Sequence, residues 1–255
     1  MVEVAFNIFQ SFETFTFAAL CIFSGVAMMK LSYAQASVIA ISMFFLVSFA
    51  HIYNRSTDMA EDQVNLPAKH LPKTPMLAFA SLGVSLAPFI VWPRLMPARL
   101  LVWHVVGAII SYMYSTPIRI AGKSRRLKEI LVVKNLTAVS GFLIAPLFLP
   151  YAASDLHEFP WMFLAAMTLH FWATEILGDL GDVKGDALAG VHTIPLAIGA
   201  TKTKIVLGVF WLASIVLAFP LPRMVFLGWT GFVASAWIFY LVERFLRPLL
   251  VDDEN

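Results

Sequence analysis

Residues 160–186, PWMFLAAMTLHFWATEILGDLGDVKGD, decide the fold. The apolar run over 160–178 is about as long as the roughly 20 residues a helix needs to cross a bilayer, and it leads straight into Asp179, Asp182 and Asp186. A matching arrangement stands earlier, where an apolar run over 34–54 leads into Asn54-Arg55-Ser56-Thr57-Asp58-Met59-Ala60-Glu61-Asp62. Of the eight aspartates in the chain, five fall in these two windows; the others are Asp155, in a loop, and Asp252 and Asp253 in the tail. Acid is scarce, and it is concentrated at the ends of hydrocarbon.

Outward from these windows the whole chain reads as an integral membrane protein. Apolar residues make up 60% and charged residues 13%, with a mean hydropathy of +0.79, far from the balance of a soluble domain. Apolar runs at about 12–30, 34–54, 75–92, 99–116, 131–150, 160–178, 204–222 and 224–246 predict an all-α, polytopic bundle of eight transmembrane helices. The first run lacks a basic flank and a small-residue cleavage site, so it is expected to be a retained span. Cys21 is the only cysteine, which excludes an internal disulfide. Because one acid window ends the second run and the other ends the sixth, the chain divides into two four-helix halves, roughly 1–128 and 129–255. No Ser/Gly linker separates them, so residues 1–255 are taken as a single domain.

Lysine and arginine set the expected orientation, since cytoplasmic loops carry the positive excess. With the N-terminus inside, the inner loops collect Arg55, Lys69, Lys73, Arg119, Lys123, Arg125, Arg126, Lys128, Lys134, Lys184, Lys202, Lys204, Arg244 and Arg247. The outer loops keep Lys30, Arg94, Arg99 and Arg223, a division of 14 against 4 among the 18 basic residues. Both acid windows and both termini then lie on the cytoplasmic side. A net charge of +2 adds little, and no nucleic-acid partner is expected.

Spacing gives the acid windows their chemistry. At about 100° per residue, Asn54, Asp58 and Asp62 (i, i+4, i+8) keep one helix face, as do Asp179, Asp182 and Asp186 (i, i+3, i+7). Like charges at such spacing repel, and carboxylates near hydrocarbon are costly, so something cationic must sit between them. Donors limited to oxygen favour a hard cation. Mg²⁺ characteristically binds through one or two carboxylates plus substrate phosphates, whereas Ca²⁺ usually draws on glycine-containing carbonyl loops, and the first window has no glycine. Glu175 lies one turn before Asp179 on the same face and is a candidate proton acceptor or acceptor-substrate contact. His51, His104 and His170, embedded in apolar runs, read as hydrogen-bonded packing residues. Arg125, Arg126 and Lys128 read as orientation charges alone.

In order and placement the motifs resemble the UbiA superfamily of intramembrane prenyltransferases. Asn54-x-x-x-Asp58-x-x-x-Asp62 and Asp179-x-x-Asp182-x-x-x-Asp186 resemble its two aspartate signatures. Asn65-Leu66-Pro67-Ala68-Lys69 looks like its Asn-x-Pro-x-Arg/Lys stretch, Tyr114-Ser115-Thr116-Pro117-Ile118-Arg119 like its Tyr-Ser-x-Pro segment, and Gly190-Val191-His192-Thr193-Ile194-Pro195 like its Gly-x-x-Thr-x-Pro pattern. The resemblance implies a helix bundle around a central cavity, open to lipid on one side. It also implies that Mg²⁺ and a prenyl diphosphate bind at the cytoplasmic face. By position, Asn54, Asp58, Asp62, Asp179, Asp182 and Asp186 form the metal shell, and Asp58, Asp62, Asp179 and Asp182 carry the chemistry with Tyr114. Lys69, Arg119, Lys123 and Lys184, again with Tyr114, face the diphosphate.

The chain departs from the family pattern at Arg55, where many relatives have aspartate. The first helix carries no arginine, and only two helices follow the second motif. Two reactions share the implied ionisation. In prenyl transfer an aromatic or lipid acceptor captures the allylic cation; in terpene cyclisation the chain's own double bond does. A transporter remains the alternative outside enzymes, although its usual mark is a helix broken at mid-membrane, and the acids here lie toward one surface.

Overall fold

The computed structural model describes residues 12–57, 75–120 and 123–245. Helices dominate, as they must where lipid offers the backbone no hydrogen-bond partners. α1 (Phe12–Phe23) continues into a π-helical turn, Ser24–Met28, and is followed by α2 (Tyr33–Thr57), α3 (Pro75–Val91) and α4 (Arg99–Ser115). A two-stranded antiparallel hairpin, β1 (Ile118–Ile120) and β2 (Lys123–Arg125), precedes a 3₁₀ turn, Leu127–Glu129. Then come α5 (Val133–Leu143), a second π-helical turn (Ile144–Phe148), α6 (Leu149–Ala153) and α7 (Trp161–Ala189). The short α8 (Ile194–Ile198), α9 (Ala200–Ala218) and α10 (Arg223–Phe245) complete the chain.

Each predicted apolar run corresponds to a helix, and two details differ from expectation. The sixth run continues as helix to Ala189, so the helix that carries Asp179, Asp182 and Asp186 extends well past the apolar stretch of 160–178. Gly190 then stops it at φ +68°, a left-handed conformation that glycine adopts without steric cost, and the Val191 N–H closes onto the Asp186 carbonyl at 2.9 Å. The hairpin and α8 were not expected; three-residue strands and a five-residue helix leave no periodic trace.

Length and composition make Tyr33–Thr57, Val133–Ala153 and Ala200–Ala218 capable of crossing a membrane, with Thr14–Met28, Pro75–Val91 and Arg223–Ala234 shorter apolar helices. Ile205, Val209, Leu212 and Val216 form an exposed apolar stripe along α9, as a lipid-facing surface requires. Inside, α2 packs most extensively on α3, and α7 on α9. Phe17 of α1, Phe142 of α5 and Phe171 of α7 meet as a ring trio at 4.8, 5.3 and 5.8 Å.

Hydroxyls tie the helices together where hydrophobicity gives no preference for protein over lipid. Ser42 donates to the Ser85 carbonyl at 2.6 Å and Ser81 to the Phe45 carbonyl at 2.8 Å, joining α2 to α3. Ser214 donates to the Ala166 carbonyl at 2.8 Å and accepts from Trp229 Nε1 at 3.0 Å, joining α9 to α7 and α10. Ser24 in the first π turn bonds the carbonyl of Pro146 in the second, where proline has no N–H to give the helical ladder. His104 pairs with Ser85 at 2.8 Å, and the His170 ring packs against Phe171, Trp229 and Phe232, so both are embedded packing residues.

The bundle has two chemically distinct ends. One gathers the last turn of α2, the end of α4, the hairpin, the start of α5 and the acidic part of α7. At the other, an apolar cleft of about 480 Å³ is lined by Trp103, Phe148, Tyr151, Ala152, Phe159, Trp161 and Leu164. Trp161 opens α7, 18 residues before Asp179, so the two ends are roughly 27 Å apart along that helix.

Candidate active site

The last turn of α2 is held by the end of α4. Asn54 Oδ1 accepts from Ser115 Oγ at 2.7 Å, the Tyr53 hydroxyl pairs with Thr116 Oγ1 at 2.7 Å, and the Tyr53 and Tyr112 rings stack at 5.4 Å. Gly107 permits the approach of the two helices, since a Cβ there would stand 3.1 Å from Leu46 Cδ2. The Tyr114–Arg119 segment is thereby brought to the first acid window. Tyr114 is half-buried. Asp58, Asp62 and Lys69 lie outside the described residues.

Beyond α4 the hairpin presents cations at the same end. Arg119 is exposed and pairs in register with Ser124; Lys123 pairs with Ile120. Arg126 Nε makes an ion pair with Glu129 Oε1 at 2.6 Å. Lys128, read from the sequence as an orientation charge, is 4% exposed, enclosed in the 3₁₀ turn that feeds α5.

The second window holds a residue that spacing alone did not single out. Lys134, in the first turn of α5, places Nζ 2.6 Å from Asp179 Oδ1 and 3.6 Å from Asp186 Oδ2. All three side chains are buried, and the charge of Glu175 also acts on Lys134. Asp179 and Asp186 are two turns apart on one face of α7, whereas Asp182 is turned about 60° from Asp179 and is half-buried. Asp179 Oδ2 is buried without a hydrogen-bond partner, as is Nδ2 of the adjoining Asn135. Lys184 is exposed on the same helix. Among the described residues no three histidine, cysteine or acidic side chains gather closely enough to enclose a metal.

Lys134 was counted only among the orientation charges. The signal that marks it is its place: it begins an apolar run, with an amide at the next position, and an ionisable group inside a span needs a partner. The backbone that delivers it is strained, with Val132 at φ +70°, an outlier for a β-branched residue.

The family model for the UbiA prenyltransferase family matches residues 14–253. The chain belongs to the UbiA prenyltransferase family. A digeranylgeranylglyceryl phosphate synthase from Pyrococcus furiosus is 23% identical over 189 residues, covering 73% of this chain and 64% of that relative, so the aligned region spans just under two thirds of its length. A synthase of the same name from Thermococcus kodakarensis is 26% identical over 217 residues, 80% of this chain and 74% of the relative. Among solved structures, a UbiA homolog from Archaeoglobus fulgidus bound to GPP and Mg²⁺ superposes with a TM-score of 0.65 at 17% identity, covering 94% of this chain and 84% of that one. The all-α membrane fold expected from the apolar runs is therefore that of the UbiA family, and the chain is an integral membrane protein of a prenyl-transferring enzyme family.

Proposed function

We propose that this UbiA-family chain is a Mg²⁺-dependent prenyltransferase that ionises a prenyl diphosphate at the cytoplasmic end of the bundle. The prenyl group passes to an acceptor of the glycerophosphate-lipid class. The reading is carried by Asp179, whose carboxylate is buried with one oxygen on Lys134 and the other without a donor. A buried acceptor left in that state calls for a cation or a donor from a ligand. The names of the curated relatives support the acceptor class, and they weigh for transfer over cyclisation. The division of basic residues supports a cytoplasmic site and cytoplasmic termini.

The donor set fits Mg²⁺. Asn54, Asp58 and Asp62 from one window and Asp179, Asp182 and Asp186 from the other offer oxygen alone, which suits a hard cation shared with a diphosphate. When bound, the metal supplies neutralisation of the charge that develops on the departing diphosphate. Arg119, Lys123, Lys184 and Lys69 are assigned to the diphosphate oxygens, with Tyr114 as a hydroxyl donor. The prenyl C1–O bond breaks and its electron pair leaves with the diphosphate. The acceptor hydroxyl oxygen bonds to C1, and its proton passes to Glu175, half-buried one turn from Asp179. Water must be kept from the allylic cation. The Phe49, Tyr53 and Phe79 rings, mutually 5.7–5.8 Å apart just below Asn54, offer apolar walls with faces that favour positive charge.

Purified protein incubated with geranyl, farnesyl and geranylgeranyl diphosphates and Mg²⁺, with and without glycerophosphate or aromatic acceptors, tests the proposal. Prenylated product and diphosphate are expected only when an acceptor is present. Cyclic hydrocarbon formed without acceptor would overturn transfer, and no diphosphate release from any substrate would overturn the enzymatic reading altogether.

A further inference from the structure

We infer that Lys134 is the resident cation of the second acid stripe, holding Asp179 and Asp186 in the metal-free protein and competing with divalent metal for their oxygens. The inference rests on the metal-dependent reading of this site.

Three observations carry it. First, one ammonium spans two helical turns, touching Asp179 Oδ1 at 2.6 Å and lying 3.6 Å from Asp186 Oδ2. At 2.6 Å it occupies the approach that a metal, binding at about 2.1 Å, would take to the same Asp179 oxygen. Second, α7 stays helical through all three aspartates to Ala189, although like charges at this spacing and acid near a helix C-terminus both oppose helix formation. Lys134 lies within ion-pair distance of two carboxylates of that stripe. Third, the site is built to hold the lysine in place. Its side chain is buried in the first turn of α5, and that turn is entered through the left-handed backbone of Val132, a strained conformation that persists only where the surroundings enforce it. A solvated orientation charge needs none of this.

A displaceable internal cation has a measurable consequence. Metal binding must break the Lys134 contacts, so the protein's metal affinity is set partly by the lysine, and metal should replace what the lysine does for stability. The test uses full-length wild-type, Lys134→Met and Lys134→Arg proteins, purified in detergent with Mg²⁺ present. Melting temperature is followed in chelator and across a Mg²⁺ titration, and Mn²⁺ binding is followed by paramagnetic resonance. Lys134→Met is expected to melt several degrees below wild type in chelator, to recover with Mg²⁺, and to half-saturate at a metal concentration at least about tenfold lower. Lys134→Arg, which keeps the charge, is expected to follow wild type.

Equal or weaker metal binding by Lys134→Met would overturn the inference, as would tightening by Lys134→Arg to the same degree. If Lys134→Met cannot be recovered folded even with Mg²⁺, metal does not substitute for the lysine and the inference also falls. The parent reading fails separately: there, neither wild type nor any variant responds to Mg²⁺ or Mn²⁺.

Discussion

The two acid windows share a helical periodicity, yet the protein secures them by different physics. At the end of α2 the described donor is an amide, Asn54, and one neutral hydroxyl from Ser115 at 2.7 Å satisfies it. In α7 the donors are carboxylates within a continuing helix, and a buried lysine from α5 reaches two of them. The difference follows from burial. A half-buried amide exchanges one hydrogen bond for another at little net gain, about 1 kcal/mol. A carboxylate 3% exposed must be matched by opposite charge or lose its ionisation. The second window is thus partly neutralised by the protein itself.

The sharpest way to break this comparison is Asp179→Ala. Removing one partner of a buried pair strands the other, so the variant should lose about 3–5 kcal/mol of stability along with its turnover, read by unfolding in detergent. Stability equal to wild type would mean that Lys134 is not held by that pair. Next in size, Asp182→Ala should lower prenyl-diphosphate turnover by roughly 10²–10³-fold, the scale of losing one electrostatic stabiliser, while unfolding shifts little. A parallel collapse in stability would show Asp182 to be structural.

At the first window the effects should be smaller. Asn54→Ala and Ser115→Ala are each expected to cost about 1 kcal/mol, and the double variant should cost clearly less than the sum of the two, since both remove one shared bond. Simple additivity would dissolve the link between α2 and α4. Smallest of all, Lys184→Ala lies on an exposed position and should change stability by no more than about 0.5 kcal/mol, with any effect confined to KM for the diphosphate. A loss in kcat without change in KM would remove Lys184 from the diphosphate-binding set.

Much of this architecture is legible in the sequence because membrane helices announce themselves by length and hydropathy. The eight apolar runs and their order needed no tertiary information. The Gly190 stop and the Thr193–Pro195 entry into α8 were readable as a motif, but their backbone geometry was not. Lys134 escaped because a lysine at the border of a run looks the same in one dimension whether it reaches solvent or a carboxylate 45 residues later. Lys128 escaped for the same reason: counting charges by loop assigns sidedness, not burial. The hairpin carrying Arg119 and Lys123 is too short for alternation to show. The link from Asn54 to Ser115 was visible only as two motifs in sequence order; the contact between them is a property of how α2 packs on α4.

The central claim is that the acidic end of the bundle binds divalent metal and draws a diphosphate away from a prenyl chain. Its most direct test is the release of diphosphate from geranylgeranyl diphosphate, with a glycerophosphate acceptor present, by wild type, Asp58→Ala and Asp182→Ala in Mg²⁺ and in chelator. Release by wild type in Mg²⁺ alone, absent from both variants and from every chelated sample, is the expected result. Undiminished release in chelator, or by both aspartate variants, would contradict the account.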